Sequence, residues 1–175
     1  MKKEAYVFRE TLRNGTPITV RAARADDGPK IRRAFKGLNR DTVYTRFFGY
    51  KADVSDAELA RITGVDFDRD VALLVTTGSG DDEVVIGGAS YFTVEAGPLA
   101  RSAEIAFTVE EDYQGLGVAS LLMRHIIRIA RENNLSRLEA DVLVRNLPML
   151  AVFKRSGLPM TTQREGNVVH VTLSL

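Results

Sequence analysis

The chain has 175 residues, a length that suits one domain with a sizeable buried core. Hydrophobic residues make up 45% and charged residues 27%, as in ordinary soluble globular proteins, and a net charge of +1 does not indicate nucleic-acid binding. The lack of cysteine excludes disulfides, thiolate metal sites and a cysteine nucleophile. Residues 1–9 contain no apolar segment typical of a signal peptide, and no run is long enough to cross a membrane. We therefore expect a single-domain cytoplasmic protein over residues 1–175.

Hydrophobic periodicity and turn residues predict alternating strands and helices. Asn14–Gly15 is typical of a hairpin turn, Ser55–Glu58 of a capping box that starts a helix, and Gly87–Gly88 of a bulge. The predicted strands cover residues 6–12, 18–21, 71–75, 84–94, 103–109, 138–144 and 168–173. The predicted helices begin at residues 26 or 27, 41, 55, 118 and 146, and turns are predicted at residues 97–98 and 164–167. This order predicts an α/β (α+β) fold with a mixed sheet flanked by helices.

The stretch around which the chain is organised, residues 103–123, has the pattern of strand, glycine loop and helix. Apolar residues alternate over 105–109, glycines occupy positions 115 and 117, and apolar residues recur with helical spacing from Val118. Such a loop leaves several N–H groups unpaired at a helix start, where their dipoles favour a phosphate or diphosphate. The alternative is an ordinary strand–helix turn that contains two glycines by chance.

The glycine pattern differs from two common phosphate-binding motifs. No Gly-Lys-Ser/Thr follows, as a P-loop requires, and Ser120 interrupts Gly-x-Gly-x-x-Gly. The sequence Gln114-x-x-Gly117-x-Ala119 instead resembles the acyl-CoA loop of the GNAT acetyltransferases. This resemblance implies the GNAT fold, a mixed and mostly antiparallel sheet with a central parallel strand pair.

A second segment strengthens the resemblance to this family. Asn146, Met149, Phe153 and Gly157 have the spacing of the family's Asn-x-x-Ala-x-x-x-Tyr-x-x-x-Gly motif, with Met in place of Ala and Phe in place of Tyr. A narrower resemblance, to the catalytic domain of bacterial Pat-type protein lysine acetyltransferases, covers nearly the whole chain. It is carried by segments 12–21, 44–49, 65–70 and 145–149. Those enzymes often have a further acyl-CoA-synthetase-like or cyclic-nucleotide-binding domain, which we do not expect here.

The resemblance implies acetyl-CoA as co-substrate and assigns residues to its binding. Main-chain groups of Phe107, Thr108 and Val109 would contact the pantetheine arm, Asn146 would hydrogen-bond it, and Phe153 would lie near the thioester. For Met149 and Phe153, plain core packing is an equally good interpretation. The diphosphate would be held by the loop and the helix start: Gln114, Gly115, Leu116, Gly117, Val118, Ala119 and Ser120.

Glu104 is the candidate general base. A lysine amine, with a pKa of ~10.4, is neutral in roughly one molecule in 2,500 at pH 7, so an enzyme directed at lysine needs a base. In Pat-like domains a glutamate at this point of the strand has that role. Strand alternation places Glu104 opposite Ile105 and Phe107, and burial at a cleft would raise its pKa. The alternative is a solvated strand carboxylate, and Glu110 is the second candidate for the base.

A general acid is not evident, because Phe153 occupies the position of the family's tyrosine. The thiolate of CoA is a weak base that can leave unassisted or take a proton from water, and Tyr44, Tyr91 and Tyr113 are alternative donors. His125 is expected to pack at a helix edge, and His170 within the last strand. Neither histidine is accompanied in the sequence by other residues at metal-ligand spacing, so we expect no metal.

Three functions are open from the sequence. The first is a protein lysine acetyltransferase that uses acetyl-CoA. The second is a small-molecule amine acetyltransferase, which would need a closed pocket rather than an open groove. The third is a module that binds acyl-CoA without turnover. The helix at residues 40–46 is expected to border the acceptor site in either enzyme. We expect neither a nucleic acid nor a membrane as a partner.

Overall fold

The structure is a computed structural model that describes residues 2–47, 52–94 and 101–175. The strands are β1 (Val7–Thr11), β2 (Pro17–Ala22), β3 (Asp70–Thr77), β4 (Val84–Val94), β5 (Ser102–Val109), β6 (Arg137–Leu143), β7 (Met160–Glu165) and β8 (Val168–Ser174). The helices are α1 (Gly28–Gly37), α2 (Arg40–Phe47), α3 (Asp56–Thr63), α4 (Val118–Glu132) and α5 (Leu147–Arg155). None of the helices in these ranges is long and apolar enough to span a membrane.

The eight strands form one mixed sheet in the order β1-β2-β3-β4-β5-β6-β8-β7. Neighbouring strands are antiparallel except for β5 and β6, which α4 connects as a parallel pair. The predicted fold class is therefore confirmed. The bulge is confirmed one residue before the predicted glycines, because Val75 pairs with Gly87 but Thr76 pairs with Val85, which leaves Ile86 as the extra residue. The turn predicted at Gly97–Pro98 lies outside the described residues.

The strand β7 was not among the predicted elements. Its residues are polar and almost all exposed, so the sequence has no alternation of apolar side chains to indicate a strand. It forms instead by hairpin pairing with β8 across the predicted turn at Glu165–Gly166. The capping box at the start of α3 is confirmed, since Ser55 accepts a hydrogen bond from the Glu58 amide and Glu58 accepts one from the Ser55 amide.

The helices cover the two faces of the sheet unequally. Helices α4 and α5 pack on one face, where Leu122, Ile126 and Ile129 are almost fully buried in the main core. Helices α1 and α3 pack on the other face, over Ala72 and Leu74. No helix of the described residues covers this second face over β6, β8 and β7. Its side chains there are polar and half-buried or exposed: Arg137, Glu139, Asp141, His170 and Thr172.

A buried ion-pair network fixes α1 to the sheet. Arg21 donates two hydrogen bonds to the carboxylate of Asp27, at 2.7 and 2.8 Å, and a third to Glu83 at 2.8 Å. Glu83 also accepts a hydrogen bond from Lys30 on α1 at 2.6 Å. Asp27 precedes α1 as predicted, but its carboxylate accepts hydrogen bonds from Arg21 and from the Arg24 amide and does not cap the helix.

The network shifts the titration of both carboxylates. The hydrogen bond from Arg21 lowers the pKa of Glu83 to about 2; burial opposes this shift, and the hydrogen bond from Lys30 adds to it. Burial tends to raise the pKa of Asp27, but the hydrogen bonds from Arg21 and the Arg24 amide outweigh it and keep that pKa below its usual value. Both groups are therefore ionised at neutral pH.

We predict that Arg21→Ala destabilises the fold by about 3–5 kcal/mol, because Asp27 would remain buried without its cation. Urea unfolding followed by circular dichroism measures this change. Arg9→Ala is the matched control: Arg9 is exposed on β1, and its removal should change the free energy of unfolding by less than about 0.5 kcal/mol. Equal effects of the two variants would contradict the proposed role of the network.

We also predict a pH-dependent difference between the native protein and Glu83→Gln. The pKa of Glu83 is about 2 in the folded state and 4.5 in a free glutamate, so its stabilising effect is present above pH 4.5 and is lost as the pH falls toward 2. The difference in unfolding free energy should be constant above pH 5 and smaller at pH 3. Glu165→Gln, at the exposed end of β7, serves as control. A difference for Glu83→Gln that does not change with pH would contradict the assignment.

Candidate active site

The parallel strands β5 and β6 separate after a short paired segment. They pair only from Ser102 and Arg137 to Glu104 and Glu139. Beyond that point β5 continues to Val109 beside β4, and β6 continues beside β8, so the two strands diverge like the arms of a fork. A cleft of about 960 Å³ occupies this fork. Residues 105–109 have no strand partner on their fork side, and their main-chain groups are available to an extended ligand.

The glycine loop lies at the open end of the fork. Gly115 and Gly117 have positive φ angles of 76° and 94°, which other residues rarely adopt. The first hydrogen bond of α4 runs from the Leu121 amide to the Gly117 carbonyl at 2.9 Å. Helix geometry therefore leaves the amides of residues 118–120 without carbonyl partners in the helix, facing the cleft. This confirms the strand–loop–helix prediction and provides a site for an anion.

Helix α2 bridges the two arms of the fork. Gln114, in the glycine loop, donates hydrogen bonds to Thr42 on α2 at 3.3 Å and to the Val109 carbonyl at 3.0 Å. On the other arm, Arg145 forms an ion pair with Asp41 on α2 at 2.9 Å. The side chain of Gln114 therefore positions the loop, and Gln114 is among the residues that line the cleft. As predicted, α2 borders the site.

Helix α5 forms the wall of the cleft on the β6 side. Asn146 caps it, because its side-chain oxygen accepts a hydrogen bond from the Met149 amide at 3.3 Å, which leaves the amide nitrogen of Asn146 available as a donor. Phe153 is almost completely buried, and its ring lies edge-on to that of Phe107 with centroids 5.9 Å apart. Phe153 therefore packs in the core and also lines the cleft.

Glu104 lies at the vertex of the fork, at the last paired position of β5. It shares the face of Ala106 and Thr108, as strand alternation predicts, but it is exposed. The expected burial is wrong, because the sheet opens at this position and the helices of this face end over β5. Arg46 of α2 lines the same region; burial lowers its pKa, and the charge of Glu104 opposes that shift.

The three acidic residues that follow β5, Glu110, Glu111 and Asp112, have different environments. Burial, with help from the charges of Asp112 and Glu111, raises the pKa of Glu110. Glu111 accepts a hydrogen bond from the Asn39 amide at 2.8 Å, at the start of α2. Asp112 is exposed. Glu110 thus has the environment that we expected for Glu104, although it lies near the loop, away from the fork vertex.

A second cavity, of about 330 Å³, lies between the sheet and the helices α1 and α3. Its lining is mostly apolar and includes Ile31, Ala34 and Phe92. It meets the cleft at Arg46 and at the Glu104 face of β5. Glu104 therefore lies between two spaces, one suited to a cofactor-sized ligand and one to a small apolar group.

The cleft collects all but one of the predicted site residues. The exception is Leu116, which packs toward the core and presents its carbonyl to Arg13. The cleft also includes Asp41 and Thr42 of the helix that was expected to border the site, and residues that the sequence analysis did not assign to it: Arg13, Ala140, Asp141, Val142 and Arg145. The segment 140–142 was predictable, because the carboxyl ends of parallel strands meet at one edge. Arg13 had no local signal, since it reaches the loop only through tertiary packing.

The remaining candidate side chains have structural partners. His125 is buried and hydrogen-bonded to Tyr6 at 2.6 Å, and burial lowers its pKa. His170 lies 2.7 Å from Asp141 on the open sheet face. Tyr91 is buried and accepts a hydrogen bond from Asn133, whereas Tyr113 lines the cleft. Within residues 2–47, 52–94 and 101–175, no three His, Asp or Glu side chains form a group that could hold a metal ion.

A forked parallel pair with a glycine loop at its mouth defines a class of acyltransferase, and comparison with known proteins identifies the family. The sequence model of the acetyltransferase (GNAT) family matches residues 41–158. The chain therefore belongs to the GNAT acetyltransferase family. Its structure is similar to that of the GNAT domain of S. lividans PAT, with a TM-score of 0.87 and 31% identity over 97% of each chain.

Two curated relatives support the same assignment. An acetyltransferase of Pseudomonas aeruginosa is 30% identical over 125 residues, which make up 71% of this chain and 65% of the relative. The acetyltransferase Pat of Mycolicibacterium smegmatis is 34% identical over 120 residues, or 69% of this chain and 34% of the relative. The chain thus spans less than two thirds of the length of either relative. The yncA protein of Salmonella typhimurium, solved with its cofactor acetyl-CoA, shares the fold at 18% identity and a TM-score of 0.69.

Proposed function

We propose that this protein transfers the acetyl group of acetyl-CoA to the side-chain amine of a lysine in a protein, with Glu104 as general base. The observation that carries the proposal is the position of Glu104, at the vertex of the fork and at the border of an open sheet face. A thioester in the fork and an amine approaching over that face would meet beside this carboxylate.

The residues of the cleft fit the chemical groups of acetyl-CoA. The free amides at the start of α4 and the positive end of its dipole suit the diphosphate. The edge of β5 over residues 107–109 has no strand partner on its fork side and suits the amides of the pantetheine arm, although the Val109 carbonyl already accepts a hydrogen bond from Gln114. The nitrogen of Asn146 can donate to the same arm from the opposite wall. Bound in this way, the arm would extend along β5 and place the thioester toward Glu104.

The chemical step is a direct transfer. The ammonium of the acceptor gives a proton to Glu104, directly or through a water, and the neutral amine attacks the carbonyl carbon of the thioester. As the new C–N bond forms and the C–S bond breaks, the thiolate of CoA leaves and takes a proton from solvent. Deprotonation of a lysine at pH 7 costs about 4.6 kcal/mol, which a base at the vertex offsets by accepting the proton.

The open sheet face favours a protein acceptor. Over β6, β8 and β7 the floor beside Glu104 is shallow and polar, and it carries the carboxylates of Glu139 and Asp141. A shallow surface suits a segment of a folded or extended protein, whereas a metabolite requires enclosure. Glu139 is paired with Arg137 at 2.7 Å and Asp141 lies 2.7 Å from His170, so this floor is polar and offers hydrogen-bonding groups to a protein segment.

The second cavity favours a different acceptor, a small apolar amine. Its size lies at the lower end of the range for small-molecule pockets, and its lining is largely apolar. An amine held there would reach Glu104 from beneath α1 and α3. We place this function second, because a protein acceptor fits the exposure of Glu104 better.

The identity of the acceptor can be tested by measuring thiol release from acetyl-CoA with intact proteins, lysine peptides and small primary amines. We expect turnover with proteins and peptides. Ala34→Leu narrows the second cavity and should leave their KM unchanged. The second function would be supported if the unaltered protein turned over a small amine but no protein or peptide, and if Ala34→Leu raised the KM for that amine. Binding of CoA without any thiol release would contradict both and indicate a sensor.

We predict that Glu104→Gln lowers kcat by about 10²–10⁴-fold and leaves the Kd for CoA unchanged, because the amide keeps the size of the side chain and loses the base. Steady-state kinetics and calorimetry measure the two quantities. Glu110→Gln is the matched control, since Glu110 lies on the same segment away from the vertex. A larger loss in Glu110→Gln than in Glu104→Gln would transfer the role of base to Glu110.

We predict that Gly117→Ala raises the Kd for CoA at least tenfold. At a φ of 94° an alanine is strained, so the loop would relax away from the conformation that presents the amides of α4. Its Cβ would lie 3.4 Å from the Nε of Arg13, at van der Waals distance. Gly166→Ala introduces a similar strain at a φ of 60° in the β7–β8 turn, where nothing lies within 4 Å. The control should lower thermal stability without changing the Kd. Equal Kd values in the two variants would mean that the loop does not hold the ligand.

A further inference from the structure

We propose that Arg13, in the turn between β1 and β2, binds the diphosphate of acetyl-CoA together with the glycine loop. The inference rests on the proposed function, because it adds a residue to the acyl-CoA site of that proposal. It assigns a binding role to a part of the chain far from both acyl-CoA motifs in sequence.

The turn that carries Arg13 is held in a defined shape. The Leu12 amide donates to the Thr16 carbonyl, and the Gly15 amide donates to the Leu12 carbonyl, each at 2.9 Å. The Thr16 amide also donates to the side chain of Asn14 at 3.1 Å. Leu12 itself is buried in the main core. The backbone of Arg13 is therefore fixed relative to the sheet, although its side chain is exposed.

Arg13 contacts the glycine loop with both its main chain and its side chain. Its amide donates to the Leu116 carbonyl at 3.4 Å. Its side chain lies over Gly117, since a Cβ at that glycine would be 3.4 Å from Nε and 3.8 Å from Cζ. The guanidinium thus lies in the wall of the cleft, beside the first residues of α4. The Arg13 side chain is therefore in van der Waals range of position 117, where the positive φ favours glycine.

Among the described residues the guanidinium of Arg13 has no carboxylate or carbonyl partner. Other arginines that line the same cleft are placed differently. Arg145 is paired with Asp41, and Arg155 is the last residue of α5, whose first turn is capped by Asn146. Arg13 is therefore a cation at the helix start whose hydrogen-bonding capacity is available to a ligand.

The chemistry of this position selects a diphosphate. The start of α4 offers only about half a positive charge, whereas the diphosphate bridge carries two negative charges, so a full cation beside it improves the match. A guanidinium also presents parallel N–H donors that fit two phosphate oxygens at once, which an ammonium cannot do. A fixed backbone reduces the ordering that binding requires.

The inference is tested with Arg13→Ala, Arg13→Lys and the control Arg9→Ala, an exposed arginine on the same hairpin with no role in the site. Calorimetry gives the Kd of each protein for CoA, 3′-dephospho-CoA and pantetheine. For Arg13→Ala we expect a Kd about 10- to 100-fold higher for CoA and for 3′-dephospho-CoA, and an unchanged Kd for pantetheine. Arg13→Lys should show an intermediate loss, and Arg9→Ala none.

Three results would overturn the inference. One is an unchanged Kd for CoA in Arg13→Ala. Another is a loss with CoA that disappears with 3′-dephospho-CoA, which would assign Arg13 to the 3′-phosphate. The third is an equal loss with pantetheine accompanied by a lowered melting temperature, which would indicate a structural role. Failure of the proposed function would be seen separately, as no binding of CoA by the unaltered protein.

Discussion

The separation of β5 and β6 after Glu104 and Glu139 is the constraint on which the site depends. If β5 and β6 stayed paired as far as Val109, their facing main-chain groups would hydrogen-bond to each other and no cleft would remain between them. Because the strands diverge, one edge of each remains free, and the loop that follows β5 lies at the mouth of the gap. The bridge formed by α2, through Thr42 on one arm and Asp41 on the other, holds the two arms at this separation.

Because helices cover the two faces of the sheet unequally, the vertex of the fork is also exposed to solvent. Among the described residues, helices α1 and α3 pack on the Glu104 face over β4 and β3, α2 contacts β5, and α4 and α5 cover the opposite face. Glu104 is consequently exposed at a step between a covered and an open part of the sheet. A base in that position is accessible to an acceptor from outside, and we regard this accessibility as more important for its proposed role than the burial that the sequence suggested.

The sequence predicted what local patterns determine. The change of period at Val118, the glycine loop at 115–117 and the helix start at Asn146 were all recognisable, because each depends on residues close in the chain. Properties that depend on tertiary packing could not be recognised from the sequence. Arg13 reaches Gly117 from a hairpin 104 positions earlier, β7 forms only because β8 is beside it, and the exposure of Glu104 depends on where distant helices end.

The central claim is that the fork and its glycine loop hold acetyl-CoA with the thioester at Glu104. A crystal structure of the protein with acetyl-CoA tests it most directly. The account predicts that the diphosphate lies within hydrogen-bonding distance of the amides at 117–120, that the pantetheine arm extends along 107–109, and that the thioester lies near the Glu104 carboxylate, directly or through one water. A coenzyme bound outside the fork, or a thioester directed away from Glu104, would contradict the account.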